Sequence, residues 1–307
     1  MTLAQRVEEL TISSGGDSKR TIGEFVLEKK ERLREFTTQQ IADETYTSKS
    51  ALVRFAKALG FSGWSEFAKQ FVSEQHYRDT HYSDVDPNIP FQENSSTKDI
   101  INLMCSLQME SLMDTADLIK PWTVDSVVDL LERSNRIALF GMSPNNLLGE
   151  LFRRRMLTVG RLVEIPALGD SGLLAASLRE GDCAIIISYS GNSHTCEPLN
   201  ILRFLEKNHV PAIGITSCGT NYLRQHATYT LSISSQEKLF SKISTFATET
   251  SILYILNVLF SAYFARNFQE NFKEKVDMGR VLEYQRFSNI SELKEDEPES
   301  QGPSETK

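Results

Sequence analysis

Six polar or small residues, Ser188–Ser193 (SYSGNS), follow an apolar run in the chain. Gly191 lets the backbone turn closely around a bound group, and the hydroxyls of this stretch can donate hydrogen bonds to an anion. Backbone N–H groups at the start of a following helix, where the helix dipole favours negative charge, would strengthen such a site. The stretch therefore predicts a loop that binds a phosphate-like anion, and a plain turn with Ser193 as helix N-cap is the alternative. The predicted ligands are Ser188, Ser190, Gly191, Asn192 and Ser193.

The elements that would hold this loop alternate between strand-like and helix-like segments. Short runs rich in β-branched residues, without polar alternation, are typical of strands buried on both faces. Strand–helix–strand repetition predicts a parallel sheet with right-handed crossovers. The predicted strands are 137–140, 162–165, 184–187, 212–216 and 229–233, and the main predicted helices are 98–119, 147–159, 171–178 and 195–208.

Three predicted strands end in polar stretches: GMSPNN after 137–140, SYSGNS after 184–187 and TSCGTN after 212–216. Ligands of open parallel sheets bind beyond the carboxyl ends of the strands, so the three stretches indicate one site. The first stretch lacks the GxGxxG spacing, which argues against a dinucleotide. We expect no cofactor and no metal, since the cysteines lack metal-ligand spacing with histidine.

A second motif lies near the N-terminus, in TTQQIADETYTSKSALVRFAKALGF. Thr37 or Thr38 can cap a short helix, and Ser48 can cap a second helix over 49–59. Gly60 can close that second helix because glycine tolerates left-handed geometry. Two short helices joined by a tight turn predict an all-α, helix-turn-helix domain.

The second of these helices has one apolar and one basic face. At 100° per residue, Leu52, Ala56 and Leu59 share a stripe that should pack on the preceding helices. The opposite face suits DNA, because a recognition helix places N-terminal residues on base edges and basic residues on phosphates. Ordinary charges on a solvated face are the alternative. The predicted DNA-binding residues are Gln39, Gln40, Ser48, Lys49, Ser50, Arg54 and Lys57.

The charge of the chain is uneven. Its formal net charge is −8 over 307 residues, yet residues 18–76 hold 10 Lys and Arg against 8 Asp and Glu. A net-positive region in an acidic chain fits a local DNA-binding face. Four cysteines without a CxxC pair indicate reduced thiols and a cytoplasmic location. The apolar segment 245–264 contains Glu249 and Asn257, so we expect a buried helix and no membrane span.

Two segments resemble parts of known proteins. ALVRFAKALGFSGWSEF resembles the N-terminal domain of RpiR-type (MurR/RpiR) bacterial transcription regulators, and SYSGNS resembles the SxSGxT-type loop of the sugar isomerase (SIS) domain that follows it in that family. The resemblance implies a five-stranded doubly wound parallel sheet, phosphosugar sensing and a homodimer or homotetramer. The family's first loop, usually GxGxS, implies that Ser143 and Asn145 also bind the sugar, although both depart from that pattern.

These patterns divide the chain into four parts. The helix-turn-helix domain is assigned to 1–76 and the SIS domain to 98–288. A polar segment with two prolines, 77–97, has the composition of a linker, and the acidic end, 289–307, has that of a disordered tail.

Three functions remain open on the sequence alone. The favoured one is a regulator of sugar-catabolism genes that binds a double-stranded operator and is controlled by a sugar phosphate. The alternatives are a phosphosugar isomerase with an added helical domain, and a DNA-binding scaffold whose SIS site has lost its ligand. An isomerase needs a base beside a carbonyl, and Glu237 is a candidate base that could instead accept hydrogen bonds from sugar hydroxyls. The other candidate bases are His194, Glu197 and His226.

Overall fold

The computed structural model describes residues 3–13, 17–81, 85–234, 236–284 and 290. Its N-terminal part is helical, with a short 3-10 helix over Lys30–Glu35 between the second and third α-helices. The α-helices are α1 (Leu3–Ser13), α2 (Asp17–Lys29), α3 (Thr38–Glu44), α4 (Lys49–Ala58) and α5 (Trp64–His81).

Local capping sets the ends of α3 and α4, as predicted. The hydroxyl of Thr37 accepts the N–H of Gln40 at 3.2 Å, and the Gln40 side chain accepts the N–H of Thr37 at 2.8 Å, which makes a capping box. The Ser48 hydroxyl accepts the N–H of Ala51 at 3.2 Å. Gly60 follows α4 with a φ of +86°, which glycine adopts without steric cost. The predicted helix-turn-helix is therefore present.

The apolar stripe of α4 is buried, which confirms the predicted face. Leu52, Phe55 and Ala56 are inaccessible to solvent. They share one cluster with residues of α2 and α3, and Phe55 meets Phe67 edge-on with ring centroids 5.8 Å apart. Burial of one large apolar side chain contributes about 1.5–3 kcal/mol. This cluster therefore fixes the rotation of α4 and leaves its polar face in solvent.

The second part of the chain alternates strands and helices. A 3-10 helix over Leu199–Ile201 precedes α10. The α-helices are α6 (Thr97–Leu118), α7 (Pro121–Arg133), α8 (Asn145–Leu157), α9 (Ser171–Ser177), α10 (Leu202–Lys207), α11 (Tyr222–His226), α12 (Phe246–Arg266) and α13 (Phe268–Leu282). The strands are β1 (Ile137–Gly141), β2 (Val163–Glu164), β3 (Cys183–Ile187), β4 (Ala212–Ser217) and β5 (Tyr229–Ile233).

The five strands form one parallel sheet in the order β2-β1-β3-β4-β5. Alternate residues of each strand enter opposite cores, because successive side chains of a strand point to opposite faces. Ile185 lies in a cluster with α7, α8 and α12, and Ile186 lies in a cluster with α9 and α10. Helices thus cover both faces, and the predicted doubly wound parallel sheet is confirmed.

The helix predicted over 195–208 is shorter than the sequence pattern suggested. Regular helix begins only with the 3-10 turn at Leu199 and continues as α10 from Leu202. Pro198 explains the difference, because a proline disfavours helical geometry in the residue before it. The SYSGNS loop is therefore not followed directly by a helix, and that source of N–H groups and dipole for an anion is absent from the segment 191–198.

The predicted linker, 77–97, is more structured than its composition suggested. Helix α5 continues to His81, and Asn88 is only 7% exposed. Its side chain accepts the N–H of Lys238 at 2.6 Å, and its carbonyl accepts the N–H of Ile243 at 2.8 Å. The partners lie far along the sequence, so local composition does not reveal them. The predicted acidic tail, 289–307, lies outside the described residues except for Ile290.

The apolar segment predicted as a buried helix forms α12. Its residues Ile252, Ile255 and Leu259 are buried in the core shared with α7 and α8. The Ser251 hydroxyl donates to the carbonyl of Ser234 at 2.8 Å, so a polar group on this helix is satisfied inside the core. Over the described residues, none of the helices has the length and apolar character needed to cross a bilayer.

Candidate functional site

The sheet order places two polar loops beside each other at its carboxyl edge. Gly141 of β1 is in register with Ile187 of β3, so the loop at 142–144 and the SYSGNS loop leave adjacent strands. From β1 the chain continues to β2 on one side and then to β3 on the other. Such a switch point opens a crevice where doubly wound sheets bind ligands.

Backbone hydrogen bonds hold the SYSGNS loop against β4 and α11. The N–H of Ser188 donates to Ile215 at 3.0 Å, and the carbonyl of Tyr189 accepts the N–H of Ser217 at 3.1 Å. The carbonyl of Gly191 accepts the N–H of Leu223 at 2.8 Å. The loop thus has a fixed path over the sheet edge.

Gly191 is required by the close approach of two buried side chains. Its φ is +65°. A Cβ at this position would lie 2.4 Å from Oδ1 of Asn221 and 2.7 Å from Oγ1 of Thr216, distances that no real side chain tolerates. Asn221 and Thr216 are 4% and 0% exposed and are joined by a hydrogen bond of 3.1 Å. Neither residue is among the predicted ligands, although both belong to the third polar stretch, TSCGTN.

The polar side chains of the loop have different roles. The Ser188 hydroxyl accepts the N–H of Gly191 at 3.3 Å, and Oδ1 of Asn192 accepts the N–H of Tyr222 at 3.2 Å. Ser190 is half-buried and Ser193 is exposed. Within the described part of the chain, the side chains of these two serines have no hydrogen-bond partner. Their O–H groups can donate to an incoming anion, and so can that of Ser188, whose oxygen serves only as an acceptor within the loop.

The first loop contributes the start of a long helix. Asn145 is the first residue of α8 and is half-buried, whereas Ser143 is exposed. A Cβ on Gly141 would lie 3.3 Å from the Cβ of Asn145, so the chain turns tightly between β1 and α8. Helix α8 has 13 residues and no side-chain cap, and the positive end of its dipole lies at this edge of the sheet. The helix start near the predicted site is therefore that of α8.

Glu237 has a structural task that the sequence did not indicate. It is 3% exposed, and its carboxylate accepts the N–H of Ala247 and the hydroxyl of Thr248, both at 2.7 Å. These partners belong to the first turn of α12, whose N–H groups have no helical partner. The carboxylate therefore caps α12, and the prediction that it accepts hydrogen bonds from sugar hydroxyls is not retained.

The other three candidate bases do not form a catalytic arrangement with the loop. The Glu197 carboxylate accepts the Ser171 hydroxyl at 3.0 Å. His226 Nδ1 lies 2.5 Å from the Glu206 carboxylate, and the exposed His194 lies against the Tyr222 ring with ring centres 5.2 Å apart and a tilt of 38°. Among the described residues, no hydrogen bond joins these three side chains to the serines of the loop.

The polar face of α4 is solvent-accessible along its length. Lys49, Ser50, Arg54 and Lys57 are all exposed. A cationic face beside a short turn has the form of a recognition helix, whose first residues enter the major groove.

The remaining DNA-binding candidates are exposed but already engaged within the domain. The amide of Gln39 donates to Asp43 at 2.8 Å, while Gln40 and Ser48 cap α3 and α4. Their position beside α4 is compatible with the predicted contacts to the DNA backbone.

Tyr46, next to α4, is an exposed residue that is not among the predicted DNA-binding residues. It lies in the turn between α3 and α4, is 95% exposed and has a φ of +50°. A bulky side chain is uncommon at positive φ, and an aromatic residue in the motif's turn was the signal that could have identified it.

A cavity of about 680 Å³ lies elsewhere in the SIS part of the chain. Its lining comes from α8, α9 and the segment 163–167 beside β2. None of the predicted site residues contributes to it. We therefore place the candidate site at the β1–β3 loops, where the polar stretches meet.

Two family models match separate parts of the chain. The helix-turn-helix domain of the rpiR family matches residues 2–76, and the SIS domain matches residues 130–262. These ranges contain α4 and the SYSGNS loop, respectively.

Two relatives that match most of this chain are named as regulators. The chain is 23% identical over 250 residues to an uncharacterized HTH-type transcriptional regulator of Haemophilus influenzae, covering 80% of this chain and 84% of the relative. It is 22% identical over 281 residues to another from Caldanaerobacter subterraneus, covering 90% and 96%.

Solved structures share the fold. The NanR protein of Vibrio vulnificus, in complex with ManNAc-6P, matches with a TM-score of 0.57 and 18% identity, covering 93% of this chain and 100% of that chain. The sugar isomerase domain of an RpiR transcription factor from Sphaerobacter thermophilus matches with a TM-score of 0.51 and 15% identity, covering 59% and 98%. The chain thus combines a helix-turn-helix domain of the rpiR family with a SIS domain, as a transcription regulator.

Proposed function

We propose that this regulator binds an operator through α4 and that a phosphorylated sugar, bound at the SYSGNS loop, changes its affinity for DNA. The regulator acts in the cytoplasm, as a homodimer or homotetramer, on sugar-catabolism genes. The observation that carries the proposal is that the loop with Ser190 and Ser193 and the segment that leads into α8 follow the neighbouring strands β3 and β1 at the switch point. Hydroxyl donors and a helix N-terminus together favour a phosphate.

A structural relative supplies the first ligand to test. The NanR structure contains ManNAc-6P, a phosphorylated amino sugar derivative. Identity of 18% supports the fold alone, so the sugar of this chain is a matter for measurement. A panel of hexose 6-phosphates that includes N-acetylmannosamine 6-phosphate is the appropriate set.

The effector site is tested by thermal shift and calorimetry on the full chain. We expect one member of the panel to raise the Tm and Ser190→Ala to weaken its binding about 10- to 100-fold, because a hydrogen bond to a charged group contributes about 1.5–3 kcal/mol. Ser126→Ala on α7, an exposed serine bonded to the carbonyl of Trp122, is the matched control. If no sugar phosphate binds, the chain is a scaffold rather than a sensor. Turnover of a bound sugar would indicate an isomerase.

The DNA site is tested with a duplex that the wild-type protein enriches from a random library. Arg54→Ala should weaken binding by about 5- to 150-fold, the equivalent of about 1–3 kcal/mol for a bidentate base contact. It should leave sugar binding unchanged, while Ser190→Ala should leave effector-free DNA binding unchanged. If each variant abolished both activities without unfolding, the proposed division of labour would be wrong. A symmetric dimer would select half-sites spaced by whole helical turns of about 34 Å.

A further inference from the structure

The segment 236–243, here called the strap, connects β5 to α12 and passes beside the SYSGNS loop. It touches the loop through Tyr189. The hydroxyl of Tyr189 donates to the carbonyl of Glu237, and the ammonium group of Lys242 lies 5.4 Å from the centre of the Tyr189 ring. Lys242 is also 3.5 Å from the buried carboxylate of Glu237, and its side chain is only 12% exposed. Tyr189 is therefore held by both ends of the strap.

The strap is tied at another point to the segment that connects the two domains. Asn88 accepts the N–H of Lys238 at 2.6 Å and that of Ile243 at 2.8 Å, and its amide donates to the carbonyl of Gln236 at 3.4 Å. Asn88 thus bonds to both ends of the strap, through its side chain and through its backbone carbonyl. The two side-chain bonds are partly buried, and breaking them would leave partly buried polar groups without a partner, which is costly.

Asn88 is itself held in place by a neighbouring carboxylate. Oδ1 of Asp86 accepts the N–H of Asn88 at 2.8 Å and its amide at 2.9 Å. These two bonds, with a smaller effect of the nearby Lys238 ammonium, lower the pKa of Asp86. The connecting segment therefore presents Asn88 to the strap in a defined orientation.

We propose that Asn88 and the strap transmit the state of the effector loop to the DNA-binding domain. The proposal rests on the function proposed above and names its regulation. Tyr189 lies between Ser188 and Ser190, so a ligand that engages these hydroxyls acts on a residue bonded to the strap. The strap in turn is bonded to Asn88, in the segment that follows α5. An effector shifts the equilibrium only if it binds one arrangement of these contacts more tightly than another.

The first arm of the test measures coupling in the full chain. The duplex selected by the wild-type protein and N-acetylmannosamine 6-phosphate, or the tightest member of the hexose 6-phosphate panel, serve as probes. The Kd for DNA is measured with and without sugar, and the Kd for sugar with and without DNA; the two ratios must agree. For the wild-type protein we expect a ratio of about 5 to 150. For Asn88→Ala we expect a ratio of ~1, with the Kd for DNA alone and the Kd for sugar alone unchanged.

The second arm needs no ligand, so it separates this proposal from the proposed function. Hydrogen exchange is followed in the free protein. Asn88→Ala should accelerate exchange at Lys238, whose N–H group it releases, and also at the distant residues 188–191. The N–H of Ile243 keeps its partner in this variant, because it donates to the backbone carbonyl of residue 88. Asn94→Ala, the same substitution at an exposed position of the same segment, is the matched control and should change neither. Asn88→Asp, which keeps the acceptor for Lys238 but loses the amide donor, is the second variant if Asn88→Ala does not fold.

The outcomes are distinct. If Asn88→Ala keeps the wild-type coupling ratio, or accelerates exchange at the strap but not at 188–191, Asn88 is only a local support and the proposal is overturned. If the wild-type protein binds no sugar phosphate, the proposed effector function fails, and the exchange at 188–191 still decides whether loop and connecting segment are linked.

Discussion

The face of α4 and the SYSGNS loop both present polar side chains to solvent, but different interactions position them. The ends of α4 are set by neighbours in sequence: Ser48 caps its start and Gly60 follows its end. The SYSGNS loop is set by residues about 25 to 30 positions away, Thr216, Asn221 and Leu223. The comparison shows that the ends of a helix can be set by local sequence, whereas a loop at a sheet edge depends on tertiary neighbours.

The largest expected effect tests the core that orients α4. Phe55→Ala should lower the free energy of unfolding of the N-terminal domain by about 3–5 kcal/mol, because a large buried side chain leaves a cavity. Trp64 lies in the same core with its ring centre 6.4 Å from that of Phe55, so its fluorescence in urea reports this domain once the other tryptophan, Trp122 on α7, is replaced by phenylalanine. Val53→Ala on the same helix, at a side chain 39% exposed, should cost under ~1 kcal/mol. Similar losses from both variants would contradict the assignment of faces.

The next effect tests the non-local construction of the loop. Gly191→Ala should destabilise the SIS domain by about 3 kcal/mol, since a Cβ would overlap Asn221 and Thr216 at a positive φ. In Gly172→Ala, within α9, the added Cβ meets no atom within 4 Å. That control should be neutral or up to ~1 kcal/mol more stable. Urea unfolding followed by circular dichroism checks both, and a harmless Gly191→Ala would mean that the loop is not fixed by these contacts.

A smaller effect separates capping from recognition at two nearby serines. Ser48→Ala should cost about 1 kcal/mol of stability, because it removes the N-cap of α4. Ser50→Ala, at the exposed second position of α4, should change stability by less than ~0.5 kcal/mol and act instead on affinity for the selected duplex. Thermal unfolding and DNA titration of both variants check this, and the reverse order of the two stability changes would exclude the capping role.

The smallest effect is a difference in reactivity between buried and exposed cysteines. Burial raises the pKa of Cys183 to about 11, whereas Cys105 and Cys196 are exposed. Because the thiolate is the reactive form, iodoacetamide at pH 8 should label the two exposed cysteines and spare Cys183 in the native protein. The burial of Cys183 favours folding below the ordinary thiol pKa, and this contribution is lost as the pH rises toward about 11. Peptide mass spectrometry checks the order, and equal labelling of Cys183 and Cys105 would contradict the burial of β3.

Sequence patterns were most informative where a structure depends on neighbours along the chain. The capping signals at Thr37 and Ser48 and the apolar stripe of α4 were recognised from spacing alone, as were the five strands. The helix predicted after SYSGNS starts too early, at residue 195, because Pro198 disfavours helical geometry in the residue before it. Helical structure begins only at Leu199. The role of Glu237 was missed, since its partners, the first N–H groups of α12, become neighbours only when the chain folds.

The amino-acid sequence by itself determined the two domain types, the buried and exposed faces of α4 and the order of strands and helices, because caps, periodicity and glycine geometry act within a few residues. Only the tertiary structure decided that α8 supplies the helix start at the candidate site, that Asn221 and Thr216 require Gly191, and that Asn88 holds the strap. Each of these facts depends on side chains brought together by sheet order and packing, and such long-range contacts leave no period or spacing in the sequence.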